Sequence, residues 1–179
     1  MKKVLTILLS TFLIIGLCGC GKKPTEEVLT PPTNPNEITL GNDVYVLEQE
    51  ETFGNISYKI DPKMVKRTYS GEYSGIPSVN FTAEDPQGAG AFAIRIFEYT
   101  NKDIDTVIND FDPDILERKD VTYNDIIYTY VKDGMEDGGY INIYVHEHND
   151  KIYAITVTAR DEVKTEPLAK IVLTNIKYN

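Results

Sequence analysis

His146 and His148, the only histidines in the chain, stand at i, i+2 in a stretch that alternates like a strand, so both imidazoles point to one side. Such a pair can begin a zinc site. Zinc needs at least a third ligand, and Glu147 points the other way, which leaves Asp150 or a residue from elsewhere to complete it. Two polar side chains near an exposed hairpin end are the simpler expectation. The alternating carboxylates of Asp110-Phe-Asp112-Pro-Asp114 can converge on a hard cation, but a calcium loop wants glycine at its sixth position and glutamate at its twelfth. This chain has Ile115 and Val121 there, and Asp112-Pro113 reads more simply as a helix stop. The second acidic loop, Asp133 to Gly139, is flexible enough to wrap an ion but matches no known ligand order, so a turn between strands is expected. Neither Ser70 nor Ser74 has glycine two residues away on both sides, so the nucleophile elbow is absent. Paired carboxylates are uninformative in a chain with 28 acidic residues. The residues therefore predict no enzyme, no cofactor and no resident metal.

The twelve tyrosines suggest sugar binding, because a flat ring with a hydroxyl edge can stack on a sugar and hydrogen-bond beside it. Tyr128, Tyr130, Tyr144 and Tyr153 lie inside strand patterns and are expected to be partly buried sheet residues. Tyr69 and Tyr73 fall in a segment, Arg67 to Ile76, that reads as a loop, where packing explains a ring less easily. They are the candidate contact residues.

Cys20 has a different chemistry. It closes Leu17-Cys18-Gly19-Cys20, behind Lys2, Lys3 and the charge-free apolar run Val4 to Leu17. This start resembles the lipobox of bacterial lipoproteins, in which signal peptidase II cuts before the cysteine and the sulfur carries diacylglycerol. The alternative is an uncleaved membrane helix, since Val4 to Gly21 holds 18 uncharged residues. Thr6, Ser10, Thr11 and Gly16 in the short apolar region suit a signal peptide better. The resemblance implies a domain tethered to the outer face of a membrane through lipid on Cys20. Cys18 leaves with the peptide, so no free thiol or disulfide remains.

Cleavage after Gly19 also removes Lys2 and Lys3, leaving 16 basic against 28 acidic side chains, a net charge of −12. Such a surface repels nucleic acid and anionic lipid, and keeps a surface protein soluble. Residues 20–36 hold four prolines and almost nothing to bury. They read as a tether that spans up to about 50 Å at about 3.1 Å per residue. Residues 37–179 are of single-domain size.

The apolar pattern of that domain is mostly of period two, over Val44 to Leu47, Ile56 to Ile60, Val79 to Ala83, Ala91 to Tyr99, Ile126 to Val131, Ile141 to Val145 and Ile152 to Ala159. Two segments break it. Ile104, Val107, Ile108 and Phe111 make a helical stripe behind Asp103 as N-cap. Leu168, Ile171 and Val172 make another, with Thr165 as cap and Pro167 in the first turn. Asn149-Asp150 predicts a two-residue type I′ hairpin that pairs His146 with Tyr153, Tyr144 with Ile155 and Asn142 with Val157 on one face. Val145 then meets Ala154, and Ile143 meets Thr156, on the other. Both faces are apolar, so the expected fold is α+β, a single mostly antiparallel sheet with a helix or long loop on each face.

Ile56-Ser-Tyr-Lys-Ile-Asp-Pro62, the helix from Asp103, the strand after Tyr123-Asn124-Asp125, the Asn149-Asp150 hairpin and the closing helix follow one another in an order similar to that of PsbP-like α/β/α sandwich lipoproteins. The resemblance covers most of residues 44 to 179. It implies a docking or accessory role for a cell-envelope protein partner and transfers no catalytic residue. Binding of a small ligand or glycan through Tyr69 and Tyr73 is the other expectation.

Overall fold

The computed structural model describes residues 34–40, 43–71, 75–84, 90–111, 115–134, 140–159 and 162–179. The chain divides at Pro31/Pro32, and the first unit, which carries Cys20, lies outside the described residues, as does Tyr73. Among the described residues no helix is long and apolar enough to cross a membrane.

The second unit is built on a seven-stranded, wholly antiparallel sheet. In chain order its strands are β5 (Val65–Tyr69), β6 (Ser78–Glu84), β7 (Gly90–Thr100), β8 (Ile115–Tyr123), β9 (Ile126–Gly134), β10 (Tyr140–His148) and β11 (Lys151–Ala159). They lie side by side as β5-β6-β7-β11-β10-β9-β8. The β10–β11 hairpin has the predicted register at every pair, from His146 opposite Tyr153 to Asn142 opposite Val157. Asn149 and Asp150 take φ of 51° and 60°, the left-handed pair that a type I′ turn requires. Asn124 and Asp125, at 51° and 62°, close the β8–β9 hairpin in the same way.

The central strands bury both faces, and two separate cores result. On one face Tyr99, Val131, Ile143, Val145, Ile152 and Ala154 pack against Val107 and Ile108 of α1 (Ile104–Asn109). Asp103 caps this helix as expected, its carboxylate accepting the Thr106 N–H at 2.6 Å. The other face carries the larger core, including Phe81, Ile94, Tyr128, Tyr144 and Ile155, and is covered in part by Leu168, Ala169, Val172 and Leu173 of α2 (Glu162–Thr174).

The expected single sheet is corrected at this point. β1 (Glu37–Leu40) and β2 (Asp43–Val46) form a two-stranded sheet, and β3 (Gln49–Phe53), β4 (Ile56–Ile60) and β12 (Lys177–Tyr178) a three-stranded one in the order β12-β4-β3. The reason lies in β4, where Ile56, Ser57, Tyr58 and Ile60 are all buried. Ile56, Tyr58 and Ile60 join the larger core, with the Tyr58 ring 5.2 Å from that of Phe81, so this strand serves as cover for the large sheet.

Two further readings change. Thr165 is not an N-cap: α2 begins at Glu162, Thr165 is buried within it, and Pro167 sits inside the helix, where its missing N–H leaves the Val163 carbonyl without its helical donor. Tyr69 does not lie in a loop but ends the edge strand β5.

Candidate functional site

Tyr69, the sequence-selected ring, is 42% exposed. It pairs across the strands with Ser78, which in turn pairs with Phe97, so its side chain shares the face on which α1 packs. The Arg95 guanidinium lies 5.3 Å from the Tyr69 ring centre and 4.5 Å from that of Phe97. Its Nη2 donates to the Ser78 hydroxyl at 3.3 Å. Arg67, exposed on β5, is the strand partner of Asn80, and Asn80 is the partner of Arg95, so the three residues stand in a row on one face. The Asn80 Oδ1 and Arg95 Nε are buried without partners among the described residues. An exposed aromatic ring beside a guanidinium presents an apolar face and hydrogen-bond donors together, as an amphipathic contact element.

On the opposite face an open cleft of about 130 Å³ lies between α2 and the end of the sheet. Glu117, Lys119, Val121 and Tyr123 reach it from β8, Tyr130 and Lys132 from β9, Asn142 and Tyr144 from β10, and Thr165 and Glu166 from α2. Register explains the convergence: Glu117 pairs with Lys132 and Lys132 with Asn142, while Lys119 pairs with Tyr130 and Tyr130 with Tyr144. The Tyr130 hydroxyl donates to Asn142 Oδ1 at 3.0 Å. Lys119 bonds Glu117 at 2.8 Å and lies 5.4 Å from the Tyr130 ring centre. The hydrogen bond to Glu117 holds the Lys119 ammonium above its ordinary range. Burial, reinforced by Tyr123, Tyr130 and Glu166, pushes the Tyr144 phenol far up, so it stays a protonated donor to Tyr123.

The two histidines share the tyrosine-rich face with the cleft, their rings stacked at 6.4 Å and both against Tyr178 of β12, at 4.5 and 5.2 Å. His146 Nδ1 lies 2.9 Å from the Ile127 carbonyl. Among the described residues no group of three or more metal-ligating side chains gathers there or elsewhere. Asp110 of the first acidic loop pairs with Lys102, whereas Asp112 and Asp114 fall outside the described residues. Of the second acidic loop only Asp133 and Gly134 are described, and Ser74 is not.

The layering of helix, seven-stranded sheet and helix with small sheets matches solved structures. The solution structure of the cyanobacterial PsbP protein CyanoP from Synechocystis sp. PCC 6803 superposes with a TM-score of 0.54 at 10% identity, over 73% of this chain and 92% of that one. The fold is PsbP-like. A crystal structure from Bacteroides thetaiotaomicron VPI-5482 gives 0.50 at 14% identity over 70% of this chain, which spans only 45% of that one. No protein-family model matches the chain, and no curated protein does. The cleft has almost no signature in the sequence, because its lining comes from four elements and only Asn142, a polar residue in the apolar run around it, carries a local signal.

Proposed function

We propose that this chain is a lipid-anchored, extracytoplasmic accessory domain that docks a cell-envelope protein partner and performs no catalysis of its own. The lipobox at Cys20 and the proline-rich tether support the placement. The observation that carries the docking reading is the Tyr69–Arg95–Phe97 stack at the β5 edge, with an exposed tyrosine held against a guanidinium. Tyrosine and arginine are among the residue types that dominate contact energies at protein interfaces. Arg67 beside it gives the surface a basic centre on an otherwise acidic protein, which suits an acidic partner surface.

The reading is tested by cross-linking in native cells with Cys20 intact, followed by mass spectrometry. A saturable partner captured by the parent chain and lost with Tyr69→Ala and Arg95→Ala supports docking. A purified chain that binds a glycan through Tyr69, with no captured partner, moves the assignment to the small-ligand reading. Turnover of a substrate that disappears on substitution of one polar cluster overturns both.

A further inference from the structure

We propose that the cleft between α2 and β8–β10 binds a small zwitterion of the amino-acid class, with an ammonium and a carboxylate a few atoms apart. It lies on the opposite face of the large sheet from Tyr69 and does not depend on the docking surface.

Three observations lead there. The first is Asn142, 5% exposed between Ile141 and Ile143, on the face where tyrosines and aliphatic side chains form the larger core. Its Oδ1 accepts the Tyr130 hydroxyl, and the residue lines the cleft. A polar amide is costly to place in an apolar run, and this one stands at the wall of the cleft.

The second is charge. Lys119 and Lys132 stand against Glu117 and Glu166, two of each sign around a floor of tyrosine hydroxyls. A ligand with one sign of charge meets as much repulsion as attraction, whereas a zwitterion finds a counter-charge for each end. An ammonium nitrogen has three donors, so Lys119 keeps two beyond its bond to Glu117. With the Asn142 amide these suit a carboxylate. Glu166, exposed on α2, and the nearby Tyr123 ring suit the ammonium.

The third is size. At about 130 Å³ the cleft exceeds many times the roughly 10–15 Å³ that admits one water, so it has room for a ligand of several heavy atoms.

The experiment is calorimetric titration of the full chain in detergent with each common α-amino acid, and with the N-acetyl amide and the decarboxylated amine of any that binds. The expected result is saturation by at least one amino acid in the micromolar to millimolar range, about what a ligand of so few heavy atoms can reach. Both derivatives should bind at least about tenfold more weakly, since each lacks a charge the site pairs. Glu166→Gln and Lys119→Met, both at exposed positions that leave the fold intact, should each weaken binding by a similar factor, and Tyr69→Ala should leave it unchanged. No saturation by any amino acid up to about 10 mM would overturn the proposal. So would equal binding of the neutral N-acetyl amide, or unchanged affinity in both cleft variants.

Discussion

Tyr153 and Glu98, strand partners on β11 and β7, are joined by a hydrogen bond of 3.0 Å from the phenol to Oε2. The same phenol oxygen accepts the Asn55 N–H at 3.1 Å, and Lys151 holds the other carboxylate oxygen at 2.6 Å. The β3–β4 turn is thereby fastened to the large sheet by one side chain, 98 residues away in sequence. Tyr153→Phe removes a donor to a carboxylate and an acceptor for a backbone N–H, and is expected to cost about 2 kcal/mol. Urea denaturation of parent and variant measures it, and equal midpoints would show that the turn is held by other contacts.

Gly54 in that turn has φ of 57°, and a Cβ there would lie 1.8 Å from Glu98 Oε2. Gly75, at φ of 70°, has nothing within 4 Å of the same added atom. Alanine at either position meets the left-handed backbone strain of about 1–2 kcal/mol. Only Gly54→Ala must also push Glu98 off Tyr153 and Lys151. Gly54→Ala should therefore lower the denaturation midpoint further than Gly75→Ala, and the reverse order would remove the tight approach as the reason for this glycine.

What the sequence reveals follows burial. The β10–β11 register is legible residue by residue because Asn149-Asp150 sets the turn and both strand faces are apolar, so any slip would expose buried side chains. β8 and β5 pass unread because they are the edges of the large sheet. Val65-Lys-Arg-Thr-Tyr69 and Ile115-Leu-Glu-Arg-Lys-Asp120 are mostly exposed and charged, which protects an edge but erases the period-two signal. The start of α2 is misplaced for a different reason. Proline is favoured in a first helical turn, and Thr165-Glu166-Pro167 satisfies that preference, while the helix begins three residues earlier. The hairpin at Asn124-Asp125 shows the same turn pair as Asn149-Asp150, and so was open to the same reasoning.

Cys20→Ser tests the placement of the whole chain. A serine hydroxyl cannot form the thioether, so the variant should lose acyl labelling and accumulate as the unprocessed precursor. Labelling with a fatty-acid analogue and the shift in mass on a gel measure both effects. Persistent label on the variant would move the anchor to another residue and remove the argument for an outer-face domain.

Burial pushes the His146 imidazole below its ordinary value of 6.5, and the neighbouring His148 adds to this, although the Ile127 carbonyl and Glu147 pull the other way. The ring packs 4.5 Å from Tyr178, whose strand β12 closes against β4, so charging it places a cation in the contact that holds the C-terminus. A group whose folded pKa lies below its unfolded one is more protonated when unfolded, so its contribution is complete above about 6.5 and is lost as pH falls through that value toward the folded pKa. Ordinary carboxylates titrate below about 5, so the slope of stability between about pH 7.5 and 5.5 isolates His146. Urea midpoints should fall across that window, and His146→Gln should flatten the fall. A midpoint that holds steady or rises as the solution is acidified would mean that the folded ring welcomes the proton, and would set its contact with Tyr178 aside as a source of acid sensitivity.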